Sequence, residues 1–127
     1  MLKGLVVSLF IAGVALAAPP DEAPVAVRFS VTAGAKTPLL KGDVAVVPHR
    51  PAVIERHAAR GPEKQSLVLE VQPLDDGRLL VRASWSDVTP DGESVKWEPS
   101  FVVGRKAEAE VRLDFPGGAR VLTFSAG

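Results

Sequence analysis

The sequence predicts an all-β fold: an antiparallel, immunoglobulin-like sandwich or small barrel of roughly seven to eight strands. Three observations lead there. Apolar and polar residues alternate with period two over much of the chain, turn clusters of Gly, Pro and Asp recur about every ten residues, and no segment beyond the N-terminal one carries a helical apolar stripe.

The N-terminal segment stands apart. Met1-Leu2-Lys3 places one positive charge before an uncharged stretch, Gly4 to Ala17, rich in Leu, Val, Ile, Phe and Ala. Ala15-Leu16-Ala17 offers small residues to signal peptidase, and the prolines of Ala18-Pro19-Pro20-Asp21-Glu22 stop any continuing helix. Residues 1–17 therefore read as a signal-peptide helix cut between Ala17 and Ala18, with the mature protein periplasmic or extracellular. The apolar run is short of the roughly 20 residues needed to span a bilayer, so no membrane association is expected after cleavage. With no cysteine in the chain, neither a lipidated thiol nor a disulfide can form. An exported domain without disulfides suits a bacterial envelope. Residues 18–24 form a Pro-rich, acidic leader expected to be flexible, and residues 25–127 a single β-sandwich domain.

Within that domain, Val25, Val27, Phe29 and Val31 alternate with Ala26, Arg28, Ser30 and Thr32, the pattern of a strand with one buried face. Ala33 to Pro38 is turn-like, and Val44-Ala45-Val46-Val47, stopped by Pro48, makes a second short strand. Ala52 to Arg56 is a weaker third, and His57 to Gln65 a polar loop. Ser66 to Gln72 places Leu67, Leu69 and Val71 on one face. Asp76-Gly77 is a dipeptide favoured in hairpins because glycine accepts positive φ, and Arg78 to Ser86 returns with Leu79, Val81, Ala83 and Trp85 in phase. Thr89 to Glu93 is a further turn. Ser94 to Val103 then carries Val95, Trp97, Phe101 and Val103 on one side, with Pro99 marking an edge strand or a bulge. Ala107, Ala109, Val111 and Leu113 alternate with Glu108, Glu110, Arg112 and Asp114, which selects strand over helix despite the alanines and glutamates. Phe115-Pro116-Gly117-Gly118 turns into a last strand, Ala119 to Ser125. The two halves echo each other: strand, basic corner (His49-Arg50-Pro51-Ala52), strand in one, and strand, basic corner (Gly104-Arg105-Lys106-Ala107), strand in the other.

The segment Val102-Val103-Gly104-Arg105-Lys106-Ala107-Glu108-Ala109, following an Asp-Gly hairpin, resembles the strand, glycine corner, strand rhythm of secretin-like periplasmic β-domains and related domains of bacterial envelope sensors. That resemblance covers the last half of the chain. It implies a periplasmic interaction module rather than an enzyme.

The chain has 15 basic and 15 acidic residues, and loss of Lys3 with the signal leaves a formal charge of −1. Such a balance gives no field to attract nucleic acid. No Gly-x-Ser-x-Gly or Ser-x-x-Lys motif is present, so no catalytic residue is assigned. His49 and His57 lack the short spacing of paired metal ligands, and the acids of Asp75-Asp76-Gly77 and Asp87 to Glu93 lack the calcium-loop pattern, so no metal or cofactor is expected. Trp85 and Trp97 share phase with the apolar faces of their strands and are expected in the core. The remaining candidate surface is a basic loop patch of His49, Arg50, Arg56, His57, Arg60 and Lys64, because loops on a rigid scaffold carry function disproportionately. The expected function is an exported, non-catalytic binding or structural module docking onto another cell-envelope protein, the alternative being a small-ligand or metal-binding carrier and, after it, a small hydrolase or enzyme inhibitor. Docking would proceed by lending an edge strand such as Ser94 to Val103.

Overall fold

The computed structural model describes residues 23–34, 37–116 and 118–127. The expected signal peptide, residues 1–17, and most of the 18–24 leader lie outside the described residues. Nine strands follow in order: β1 (Val25–Ala33), β2 (Thr37–Val46), β3 (Ala52–His57), β4 (Lys64–Pro73), β5 (Leu79–Val88), β6 (Ser94–Trp97), β7 (Ser100–Val103), β8 (Glu108–Phe115) and β9 (Gly118–Ala126). No helix occurs among the described residues.

The strands form two antiparallel sheets that do not close into a barrel. Sheet one has the order β2-β1-β9-β8; sheet two has the order β3-β4-β5, with β6 and β7 in turn alongside β5. Apart from the β1–β9 pairing, and with β6 and β7 taken as one strand beside β5, hydrogen-bonded neighbours are neighbours in the chain. The connections are thus those of a meander folded over on itself, not the Greek key of immunoglobulin-type sandwiches. Only two connections pass between sheets, β2 to β3 and β7 to β8.

Alternation explains which side each strand buries. Val25, Val27, Phe29 and Val31 of β1 and Leu122, Phe124 and Ala126 of β9 face Leu67, Leu69 and Val71 of β4 and Leu79, Val81, Ala83 and Trp85 of β5. Burying each large apolar side chain contributes about 1.5–3 kcal/mol, which lets a cysteine-free domain hold together on its core. Phe101 of β7 meets Phe124 of β9 edge-to-face, with ring centres 5.5 Å apart at 77°, so the last edge of sheet two is pinned to the middle of sheet one.

The two basic corners are the two sheet crossings. In the first, the Arg50 N–H donates to the Val47 carbonyl at 3.1 Å, Pro48 occupies the second turn position, and His49 has φ +67°. In the second, the Ala107 N–H donates to the Gly104 carbonyl at 3.2 Å and Lys106 has φ +63°. Both place a basic residue at the turn position where positive φ is required and glycine is usual. Neighbouring strands hold them there: the His49 N–H donates to the Val71 carbonyl and the Lys106 N–H to the Ala126 carbonyl. The echo between the halves is therefore a repeated way of changing sheets. Both crossings lie at one end of the sandwich, with Val25, the β4–β5 hairpin and Gly127. The connections β1–β2, β3–β4, β5–β6 and β8–β9 lie at the other.

The β4–β5 and β5–β6 turns share one geometry. In each, the N–H of the first residue (Leu74, Thr89) donates to the carbonyl of the fifth (Arg78, Glu93), and glycine at the fourth position takes φ near +90°. Asp76 accepts the Arg78 backbone N–H and guanidinium at 3.1 and 2.7 Å. Those two bonds, the backbone one first, hold its carboxyl below the usual carboxylate range.

Three expectations need correction. The second strand spans Thr37–Val46, beginning well before Val44 and ending before Val47. A register shift opposite Val31/Thr32 makes a bulge that lets both Leu39 and Leu40 pack onto the core, breaking the alternation that would have revealed it. Pro99 causes no bulge: Trp85↔Trp97 and Arg82↔Ser100 belong to one unbroken register, so β6 and β7 are a single edge strand interrupted only by a missing N–H. Trp97 is half-buried rather than enclosed, whereas Trp85 is fully buried.

Candidate interaction site

The edge strand Ser94–Val103 is built by the alternation of its own residues. Val95, Trp97, Phe101 and Val103 face the core, while Ser94, Lys96, Glu98, Ser100 and Val102 are exposed on the outer face. The backbone alternates in step. The Pro99 carbonyl accepts the Ala83 N–H at 2.9 Å, so odd-numbered residues direct their peptide groups toward β5. The even-numbered residues then direct theirs away from the sheet. Because Pro99 belongs to the inward set, its missing N–H weakens the bond to β5 and leaves the outward row of Ser94, Lys96, Glu98, Ser100 and Val102 complete. Among the described residues no strand pairs with that outward row.

Behind the edge, a polar cluster interrupts the core. Val95 lies opposite Asp87, and Asp87 lies opposite Gln65. The Asp87 side chain points between the sheets and meets Arg120 of β9. Arg120 Nε and Nη2 donate to Asp87 Oδ2 and Oδ1 at 2.8 and 2.9 Å, a two-pronged ion pair from sheet to sheet. Trp85 Nε1 donates to the same Oδ2 at 2.5 Å, and Arg120 Nη1 donates to the Ala119 carbonyl. The guanidinium also lies 5.2 Å from the Phe115 ring centre, a cation–π distance. Asp87 and Arg120 are 3% and 6% exposed, so this is a buried pair with its donors and acceptors met. Three donors occupy the carboxylate, so the arrangement ties the two sheets and fixes the Trp85 indole. Gln65, equally buried, accepts Arg56 Nε at 3.0 Å and so connects the cluster to the surface.

Neither Asp87 nor Arg120 stood out as a site in the sequence. In sequence Asp87 reads with the acids of the following turn; in the fold it ends the inward row Leu79, Val81, Ala83, Trp85, and Arg120 starts the inward row Leu122, Phe124, Ala126. Two lone, opposite charges in phase with apolar rows were the available signal.

The basic patch divides. Arg56 and His57 end β3, Arg60 lies in the loop beyond, and Lys64 sits opposite His57 at the start of β4. His49 and Arg50 are at the crossing before β3, the length of that strand away. Strands rise about 3.3 Å per residue, so close neighbours in sequence end up at opposite ends of the molecule. The turn acids are engaged locally, Asp76 with Arg78 and Asp91 with Thr89. Two shallow grooves, of about 560 and 390 Å³, lie along the outward side of β1 and β2 around Arg28 and Asp43. They are not enclosed between the sheets.

The fold and site thus define a two-sheet meander sandwich with a buried inter-sheet ion pair and an unpaired edge. No family model matches the chain, and neither a curated protein nor a solved structure matches it.

Proposed function

We propose that this chain is an exported, non-catalytic binding module of the bacterial cell envelope, released by a cut between Ala17 and Ala18. It docks onto another envelope protein by accepting a strand of that protein against Ser94–Val103. One observation carries the reading: the outward peptide row of this edge is complete, with Pro99 on the inward side where it does not obstruct an incoming strand. Kinship with secretin-like periplasmic β-domains, expected from residues 102–109, belongs to the same proposal. The Asp87–Arg120 pair and the Phe101–Phe124 contact support it by holding the edge in place, since strand addition needs a rigid template.

The test is site-specific photocrosslinking in the producing cell. A crosslinker at Ser100 is expected to give an adduct with one other envelope protein, while one at Arg28, on the outer face of sheet one, gives none. No adduct at Ser100, or the same adducts from both positions, would overturn the proposal.

A further inference from the structure

Four strand edges are unpaired among the described residues: β2, β3, β8 and the β6–β7 strand. The first three carry outer-face charges partly engaged within the chain, and those left without an ion-pair partner among the described residues, Lys41 on β2 and Glu108 and Glu110 on β8, are of one sign on each edge. On β2, Asp43 accepts Arg28 at 2.9 Å; on β3, Glu55 lies 3.9 Å from His57; on β8, Asp114 accepts Arg112 at 2.8 Å. Lys96 and Glu98 on β6–β7 have no ion-pair partner among the described residues. They are opposite in sign, two positions apart, and exposed on the same face.

That spacing is self-complementary. When a strand pairs antiparallel with its own copy about the residue between two opposite charges, each charge meets its opposite in the copy, twice per pair. Centring on Trp97 sets Lys96 against Glu98 of the second copy and Glu98 against its Lys96. It also brings Ser94 against Ser100, Val95 against Pro99, and Trp97 against Trp97. The neighbouring face-preserving registers fail. Centring on Lys96 opposes two lysines and centring on Glu98 opposes two glutamates, and like charges directly opposite are destabilising. A one-residue slip would set core-facing residues against solvent-facing ones.

The backbone agrees with the register. Ser94, Lys96, Glu98 and Ser100 all direct their peptide groups outward, and in this register they face one another. Each pair exchanges two bonds, about eight in all. Trp97 becomes a non-bonded pair, the closer kind, where the two half-exposed indoles cover each other.

We infer that a second copy of this chain occupies the edge, antiparallel and centred on Trp97, when no other strand does. The inference rests on reading Ser94–Val103 as the docking edge, and it adds a regulation: a partner strand must displace the second copy. The contact is small, which places it among the weak, exchanging interfaces.

Sedimentation of the purified exported chain tests this. Between about 1 and 100 μM, the range where a small interface exchanges, the mass is expected to rise from monomer to dimer, with a near-ultraviolet circular dichroism band from paired Trp97 growing in parallel. Lys96→Glu turns both ion pairs into repulsions and should weaken the dimer about tenfold or more. Adding Glu98→Lys restores opposite charges and should recover it; both positions are exposed, so both variants should retain the far-ultraviolet spectrum of the parent. A monomer throughout, a Lys96→Glu chain that dimerises like the parent, or a double variant that stays monomeric would each overturn self-pairing. The docking proposal fails separately: a Ser100 crosslink that yields only the double-mass self-adduct rejects docking and keeps the dimer. A monomeric chain that still crosslinks to another protein does the reverse.

Discussion

Asp87 and Arg120 each break an apolar row on an inward face, and each is tolerable only because the other is there. Removing two charges from water costs several kcal/mol per ion, offset here by two short guanidinium bonds and the Trp85 indole. Removing one partner strands the other. Asp87→Ala or Arg120→Ala should therefore lower stability by about 3–5 kcal/mol in urea denaturation, and Asp87→Leu combined with Arg120→Met should lose less than either single change. A single variant losing under about 1 kcal/mol would show that the pair contributes no more than a surface contact. The core identities were legible at this scale, because Leu67, Leu69, Leu79, Val81 and Trp85 follow from alternation alone. The ion pair was not, since a single sequence shows that a charge lies in phase with a core but not what it meets across the sheets.

At the scale of the element, two glycines have opposite meanings. Gly77 takes φ +89° to close the β4–β5 hairpin. Gly42 lies in β2 without positive φ, facing the ring of Phe29, where an added Cβ would rest 3.6 Å from the nearest ring atom. Gly77→Ala should destabilise by about 1 kcal/mol or more, whereas Gly42→Ala should stabilise by about 0.4–1 kcal/mol by restricting the unfolded chain. Thermal denaturation of the two variants checks this: shifts of the same sign would contradict the distinction. Strand existence was largely readable, down to the choice of strand for residues 108–115. β2 was the exception, because Pro38, the Leu39 bulge and Lys41-Gly42-Asp43 each erase alternation in a strand that pairs on one side only. For Pro99, edge position followed from the residue type, but the direction its peptide faces needed the register.

Across the whole molecule, the sheets are joined by two crossings at one end, the Asp87–Arg120 pair at the other and the Phe101–Phe124 contact between. Ties spread along the full length should make unfolding a single cooperative step. Tryptophan fluorescence, reporting both core Trp85 and edge Trp97, should share its urea midpoint with far-ultraviolet circular dichroism. A fluorescence midpoint clearly below the other would mean that the edge melts first. The antiparallel all-β class was legible from turn spacing and alternation, but not the choice between an open two-layer sandwich and a closed barrel, which depends on whether the edge strands pair. The meander order was not legible either, because alternation assigns each strand a buried face but no neighbour, and neither crossing carries glycine at its positive-φ position. The basic patch failed for a related reason, since residues 49–64 read as adjacent until β3 is laid out between them.

The last backbone bond of the chain, from the Gly127 N–H to the Ala26 carbonyl at 3.1 Å, sets the mechanics of the domain. Tension applied through Val25 and Gly127 pulls on two adjacent antiparallel strands from the same end. It loads the β1–β9 ladder one rung at a time, from Val27↔Ala126 toward Ala33↔Arg120, instead of shearing every rung together. The molecule should therefore open like a zipper at low force, with Arg120, held by Asp87 of the opposite sheet, at the final rung.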